Sequence, residues 1–236
     1  MPSDQYHPYK VSAAYHAQAA LKPTWAEIDG WRMPETFGDP AEEAIRIRSA
    51  VGLQDVSPLG KLDIKGSAID ARVPQCERLE GVRAALLHKP GHALLLTAPR
   101  RESMVRDSLA GVFGGSPGCV HITDVTSALT VLALVGPRAT ELLAGLTSID
   151  LRPRTLGDRT SAACNLAHVH ATIYRSDWCE VPAYLVLVGR EVGEYVWSTI
   201  QHAGGKLGLT PFGTAAERLL RDALVPPHEP AVTVKT

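Results

Sequence analysis

The side chains of this 236-residue sequence that could do chemistry are few and scattered. Cys76, Cys119, Cys164 and Cys179 form no Cys-x-x-Cys pair and join no cluster with metal-ligand spacing. They read as reduced thiols, some of them buried, in a cytoplasmic protein. Cys179 sits beside Glu180, and an adjacent carboxylate raises a thiol's pKa, which is wrong for a nucleophile. His168 and His170 are two apart on an expected strand, so they point to one face. No further ligand is evident nearby, so a structural or surface role is favoured over metal binding. His88 and His92 flank an expected turn and should approach each other across it at the surface. Asp55-Val56-Ser57 precedes a strand, where an Asp caps a turn or holds a neighbouring backbone group. Trp31, Met33 and Pro34 read as an apolar loop that lids a core rather than stacking on a ligand. No Gly-x-Gly-x-x-Gly follows a strand, and there is no Walker sequence, nucleophile elbow or His-Glu-x-x-His. Hydride transfer on a Rossmann-bound cofactor is therefore disfavoured.

The elements that must position these groups alternate along the chain. With 45% hydrophobic residues, the sequence can bury one large core or two small ones. A net charge of −1 gives no basic stripe for nucleic acid. No apolar run reaches the ~20 residues of a membrane span, and the first ten residues are polar, so a soluble cytoplasmic protein is expected. A helix is expected after Pro40, with Ala44, Ile47 and Val51 on one face, Asp39 as N-cap and Gly52 as its stop. Gly60 to Gly66 alternates as a half-buried strand. Val82 to Leu87 and Ala93 to Thr97 form a hairpin across Lys89-Pro90-Gly91. Arg101 to Phe113 reads as a helix, and Leu129 to Val135 as a buried strand. A helix to about Leu146 follows, with Pro137 in its first turn. Strands over Ala167 to Tyr174 and Ala183 to Val188 come next. A helix from Glu191 to Ala203, a short strand to Leu209 and a last helix from Thr214 to Leu224 complete the set. No internal repeat or low-complexity linker interrupts it.

This pattern is α+β, best fitted by two small α/β modules. Residues 1–58 with 126–227 are expected to form a discontinuous outer module and residues 59–125 an inner one. Residues 228–236 are expected to be a loose tail.

Four stretches resemble the glycine-cleavage T-protein and sarcosine-oxidase families. They are Asp29-Gly30-Trp31-Arg32-Met33-Pro34 followed by Glu43 and the helix to Arg48; Val51 to Ser57 with Gly60; Leu132 to Ala139 around Gly136-Pro137; and Gly208 to Gly213 through Leu220-Arg221. Their order and spacing agree over roughly residues 10–227. The resemblance implies a T-protein-like folate-binding fold, with tetrahydrofolate or a related small acid as the ligand and one-carbon metabolism as the setting. It places Trp31, Thr97, Met104, Glu180 and Arg221 among the cofactor-binding positions.

The departures bear on mechanism. Thr97 stands where the resemblance calls for an Asn, and Met104 where it calls for the catalytic Asp. A thioether cannot steer a proton or hold a developing charge. Asp107, one helical turn on, is the substitute catalytic candidate, against the simpler reading that it faces solvent. Glu180 takes the place of the pterin-binding Glu, since a carboxylate accepts two hydrogen bonds from a guanidine-like edge. Glu217 replaces a family Arg. The third, C-terminal module of complete T-proteins is expected to be absent. That absence, together with Leu166-Ala167-His168-Val169, resembles the gamma subunit of heterotetrameric sarcosine oxidase. Two functions follow as expectations. One is a tetrahydrofolate-binding, aminomethyltransferase-like protein without the full catalytic apparatus. The alternative is a non-catalytic structural subunit beside flavoprotein subunits in an N-methyl amine oxidase or demethylase.

Overall fold

A computed structural model describes residues 9–67, 69–114, 119–178 and 181–224. A short helix, α1 (Tyr15–Ala19), leads into a hairpin of β1 (Thr24–Ile28) and β2 (Trp31–Thr36). Asp29 and Gly30 join the two strands, with φ of +54° and +78°. A two-residue Asp-Gly turn with both residues left-handed matches the right-handed twist of the strands it connects. The expected apolar loop at Trp31, Met33 and Pro34 is thus a strand. Trp31 and Met33 are both buried, as a core lid requires.

Helix α2 spans Pro40–Ser49. Asp39 accepts hydrogen bonds from the amides of Ala41 (2.8 Å) and Glu42 (3.0 Å), and Pro40 gives up no donor at the first helical position. The helix stops at Ser49, short of the Val51 that its periodicity includes, because Val51 and Gly52 enter β3 (Val51–Asp55) and pair with neighbouring strands.

Then come β4 (Gly60–Lys65), α3 (Val73–Cys76), β5 (Val82–Lys89), β6 (His92–Thr97), α4 (Glu102–Phe113) and β7 (His121–Asp124). They build an antiparallel sheet in the order β5-β6-β4-β7, one face of which packs on α3 and α4. The β5–β6 turn is Pro90-Gly91, with Gly91 left-handed. After it come β8 (Leu129–Val135), α5 (Ala139–Ala144), β9 (Ser161–Leu166), β10 (Val169–Arg175), β11 (Ala183–Gly189), α6 (Gly193–Gly204), β12 (Leu209–Pro211) and α7 (Thr214–Leu224). Pro137 precedes the N-cap Arg138 rather than entering α5. Ala167 and His168 are left-handed residues in the β9–β10 turn, so His168 does not share a strand face with His170.

The second sheet runs β12-β3-β8-β11-β10-β9, antiparallel except for the β12–β3 pair. One face packs on α1, α5 and α6, with Trp197 fully buried there. The other face is divided. Val131, Tyr174 and Leu187 meet Ala84, Leu86, Leu94 and Leu96 of the four-stranded sheet. Ala133, Val135 and Ala183 meet α2 and α7 through Ile47, Ala216 and Leu220, with Phe212, just before α7, packed among them. A strand covered on both faces favours apolar residues at successive positions, which explains the unbroken run Val131 to Val135 in β8.

Candidate functional site

Where these two coverings of one sheet face diverge, a cleft of about 650 Å³ opens. That volume lies within the range of small-molecule sites. β8 supplies Ala133 and Val135, β11 supplies Tyr184 and Leu185, β10 Tyr174, β5 Arg83 and Ala84, and β6 Leu96. The β1–β2 hairpin adds Ile28 and Met33. Polar groups enter from β3 (Gln54, Asp55), from α7 (Thr214, Glu217, Arg221) and from the stretch after β10 (Ser176, Asp177, Trp178).

The three carboxylates among the described lining residues are all engaged. Asp55 accepts from the Ser57 amide (2.9 Å) and from Gln18 Nε2 (2.9 Å), the turn-holding role its position suggests. Asp177 accepts from the Arg175 guanidinium and the Ala183 amide. Glu217 accepts from Arg221 Nε (2.9 Å) through one oxygen and from Gln54 Nε2 (2.8 Å) through the other. The Arg221 guanidinium lies 4.1 Å from the centre of the Trp178 ring, within cation–π range. Among the described residues, two buried polar atoms of the lining have no protein partner: Gln54 Oε1 and Thr214 Oγ1.

Of the described residues singled out from sequence as binding or catalytic, only Arg221 lines this cleft. Trp31 lines a second groove with Lys10, Asp29, Arg100, Glu102 and Asp124. Thr97 is buried beside Gly60 and donates to the Ala98 carbonyl. Met104 is half-buried and packs against the core beneath the four-stranded sheet, its methyl near Gly81. Asp107 is exposed, so Met104 and Asp107 share no cavity. Glu180 and Cys179 lie outside the described residues. His88 and His92 do approach, with ring centres 5.1 Å apart, and His92 bonds Asp63. His168 and His170 are exposed, and among the described residues no group of acids, histidines and cysteines could hold a metal ion. Cys76 and Cys164 are buried, and burial pushes the Cys76 thiol up to about 11, unfit for nucleophilic work.

Sequence reasoning passed over Gln54, Thr214, Arg83 and Lys61. Lys61 is fully buried on β4, and its ammonium donates to the carbonyls of Ser57 (2.7 Å) and Thr126 (2.9 Å). Burial pulls its pKa down to about 8, against the opposing pull of Asp55, Glu102 and Asp124. A signal existed for Gln54: it is the only polar residue besides Asp55 in a strand whose five positions are all buried.

Residues 92–222 match the family described as the GCVT N-terminal domain. An aminomethyltransferase from Moorella thermoacetica is 29% identical over 232 residues, covering 90% of this chain and 63% of its own length. One from Acidobacterium capsulatum is 27% identical, covering 88% and 60%. The glycine cleavage system aminomethyltransferase T from Bartonella henselae superposes with a TM-score of 0.68 at 18% identity, covering 90% of this chain and 62% of that one. A chain of the heterotetrameric sarcosine oxidase from Corynebacterium sp. U-96 superposes with a TM-score of 0.56 at 21% identity, covering 72% of this chain and 93% of that one. The chain spans 60–63% of the length of these two curated relatives.

Proposed function

The chain belongs to the family of the GCVT N-terminal domain, and from that membership we propose that its central cleft binds a reduced folate without transferring the one-carbon group by itself. The observation that carries this reading is the lining of the cleft: apolar walls around two unpaired buried polar atoms, with every described carboxylate already held by donors. The residues fit tetrahydrofolate in kind. Tyr174, Leu96, Leu185 and Met33 offer flat apolar contact for a ring, while Gln54 Oε1 and Thr214 Oγ1 await hydrogen-bond partners. Arg221, half exposed at the rim, suits a carboxylate tail. Bound folate would supply the carrier nitrogen for a one-carbon unit.

A general acid or base needs a titratable group free to reach the reacting proton. Asp55, Asp177 and Glu217 each have both oxygens engaged, and Met104 and Asp107 lie elsewhere. Titration calorimetry with tetrahydrofolate tests the binding. Leu185→Trp, which fills the cleft, is expected to abolish it, while wild-type protein alone yields no one-carbon transfer. Absence of heat with wild type overturns folate binding, and transfer by the isolated chain overturns the non-catalytic reading.

A second reading is supported by the coverage of the sarcosine oxidase chain, 93% at a TM-score of 0.56. It makes this chain a structural subunit of a multi-subunit amine-oxidising enzyme. A natively expressed protein that sediments at the mass of the single chain counts against it.

A further inference from the structure

The free end of Gln54 in the cleft has a fixed polarity, and its cause lies in α7. Gln54 is 2% exposed, and its amide is held by Glu217. A carboxylate only accepts hydrogen bonds, so Gln54 must turn its NH2 toward Glu217 and leave Oε1 as the free end. Glu217 is itself fixed by Arg221, which stacks on Trp178. Thr214 lies three residues before Glu217 on α7, on the same helical face, and its hydroxyl is the second unpaired atom.

We infer that Glu217 is a positioning residue that locks the Gln54 amide with Oε1 free, so that the buried corner formed with Thr214 selects a neutral heterocycle presenting an N–H edge and rejects carboxylates and phosphates. This deepens the proposed folate reading and rests on it for the choice of ligand. A buried acceptor without a donor is costly, and a ligand N–H relieves that cost. An anion placed there would face the lone pairs of Gln54 Oε1 with the Glu217 carboxylate behind them, a repulsive arrangement that discriminates by charge. Anionic parts of a ligand are directed instead to Arg221, more than half of whose side chain is exposed.

The test is calorimetric, on the full chain, with tetrahydrofolate, guanosine and glutarate as probes. Gln54→Leu is expected to weaken tetrahydrofolate binding about tenfold, the equivalent of one hydrogen bond to a buried acceptor. Glu217→Gln, which lets the amide turn over, is expected to weaken it roughly three- to tenfold. In the Gln54→Leu background, Glu217→Gln should change nothing more, because its effect runs through Gln54. Losses that simply add in the double variant overturn the positioning role. Urea midpoints are measured for each variant, and Gln54→Met replaces Gln54→Leu if the latter does not fold. If tetrahydrofolate fails to bind while guanosine binds more tightly than glutarate and weakens in Gln54→Leu, folate falls and the donor-edge corner stands. Preference for glutarate, indifference of all probes to Gln54→Leu, or no binding by any of the three overturns the inference.

Discussion

Replacing Lys61 with Met should change how the stability of this protein depends on pH. Lys61 is fully buried, with its ammonium held by two backbone carbonyls. The groups acting on it are Asp55, Glu102 and Asp124, which favour the charge, and Arg190, which opposes it; burial outweighs them and brings the pKa to about 8. The unfolded chain holds the same proton up to the ordinary lysine value of 10.5. Below pH 8 both states carry the charge, and the folded state bears its full cost, about 3 kcal/mol for a shift of this size. Between pH 8 and 10.5 the unfolded chain binds more protons than the folded one, so stability rises with pH. Integrated from pH 7 to pH 10, the gain from this one group is about 2.5 kcal/mol. Other lysines and the tyrosines also titrate there, so the readout is a difference. Urea unfolding of wild type and Lys61→Met at pH 7, 8, 9 and 10 should show the wild type gaining that amount on the variant. At pH 7 the variant is relieved of a buried charge but leaves the Ser57 and Thr126 carbonyls unpaired, at about 1–3 kcal/mol each, so the offset between the curves there has no forced sign. Their divergence does. Curves that stay parallel within about 0.5 kcal/mol would refute the buried, depressed lysine.

Substitutions at two further positions probe how α7 is held against the rest of the sheet face. Glu43, 5% exposed, accepts from the Thr36 hydroxyl, the Phe37 amide and the Gly213 amide, so Glu43→Ala should cost about 3 kcal/mol in urea unfolding, with Glu43→Gln in between. A wild-type midpoint in Glu43→Ala would show that these bonds contribute nothing net. Gly213→Ala would place a methyl 2.1 Å from the Glu35 carbonyl oxygen and 2.2 Å from its carbon, and backbone cannot yield as a side-chain tip can. Its thermal unfolding should fall by the equivalent of about 3 kcal/mol, and an unchanged melting temperature would mean the approach of β2 to α7 is looser than described.

Much of the local structure was legible because local rules coincided with tertiary demand. Asp39-Pro40 starts α2 by satisfying orphan amides and by losing no donor, and neither effect depends on distant residues. Pro90-Gly91 closes the β5–β6 hairpin for a similarly local reason. Legibility ended where pairing overrode periodicity. Val51 fits the helical face of α2 on spacing alone, yet it pairs with Leu209 of β12, 158 positions later in the sequence. Trp31, Met33 and Pro34 read as a loop on composition, yet they lie in β2, and Asp29-Gly30 before them is the strongest short hairpin signal available.

The candidate site divides along the same line. Sequence resemblance alone was enough to indicate the family and to bring Arg221 forward, because those features are strings of residues in order. It was also enough to note that Glu217 departs from the family pattern, but not what that departure does. Only the folded chain sets Glu217 on α7 against Gln54 on β3, 163 residues away, and so decides which end of an amide stays free. The same holds for Thr97, Met104 and Asp107, whose spacing on β6 and α4 says nothing about which cavity a sheet face will open onto. A cleft is a property of how two layers diverge over one sheet, and divergence is set by packing between distant segments rather than by any run of residues within one.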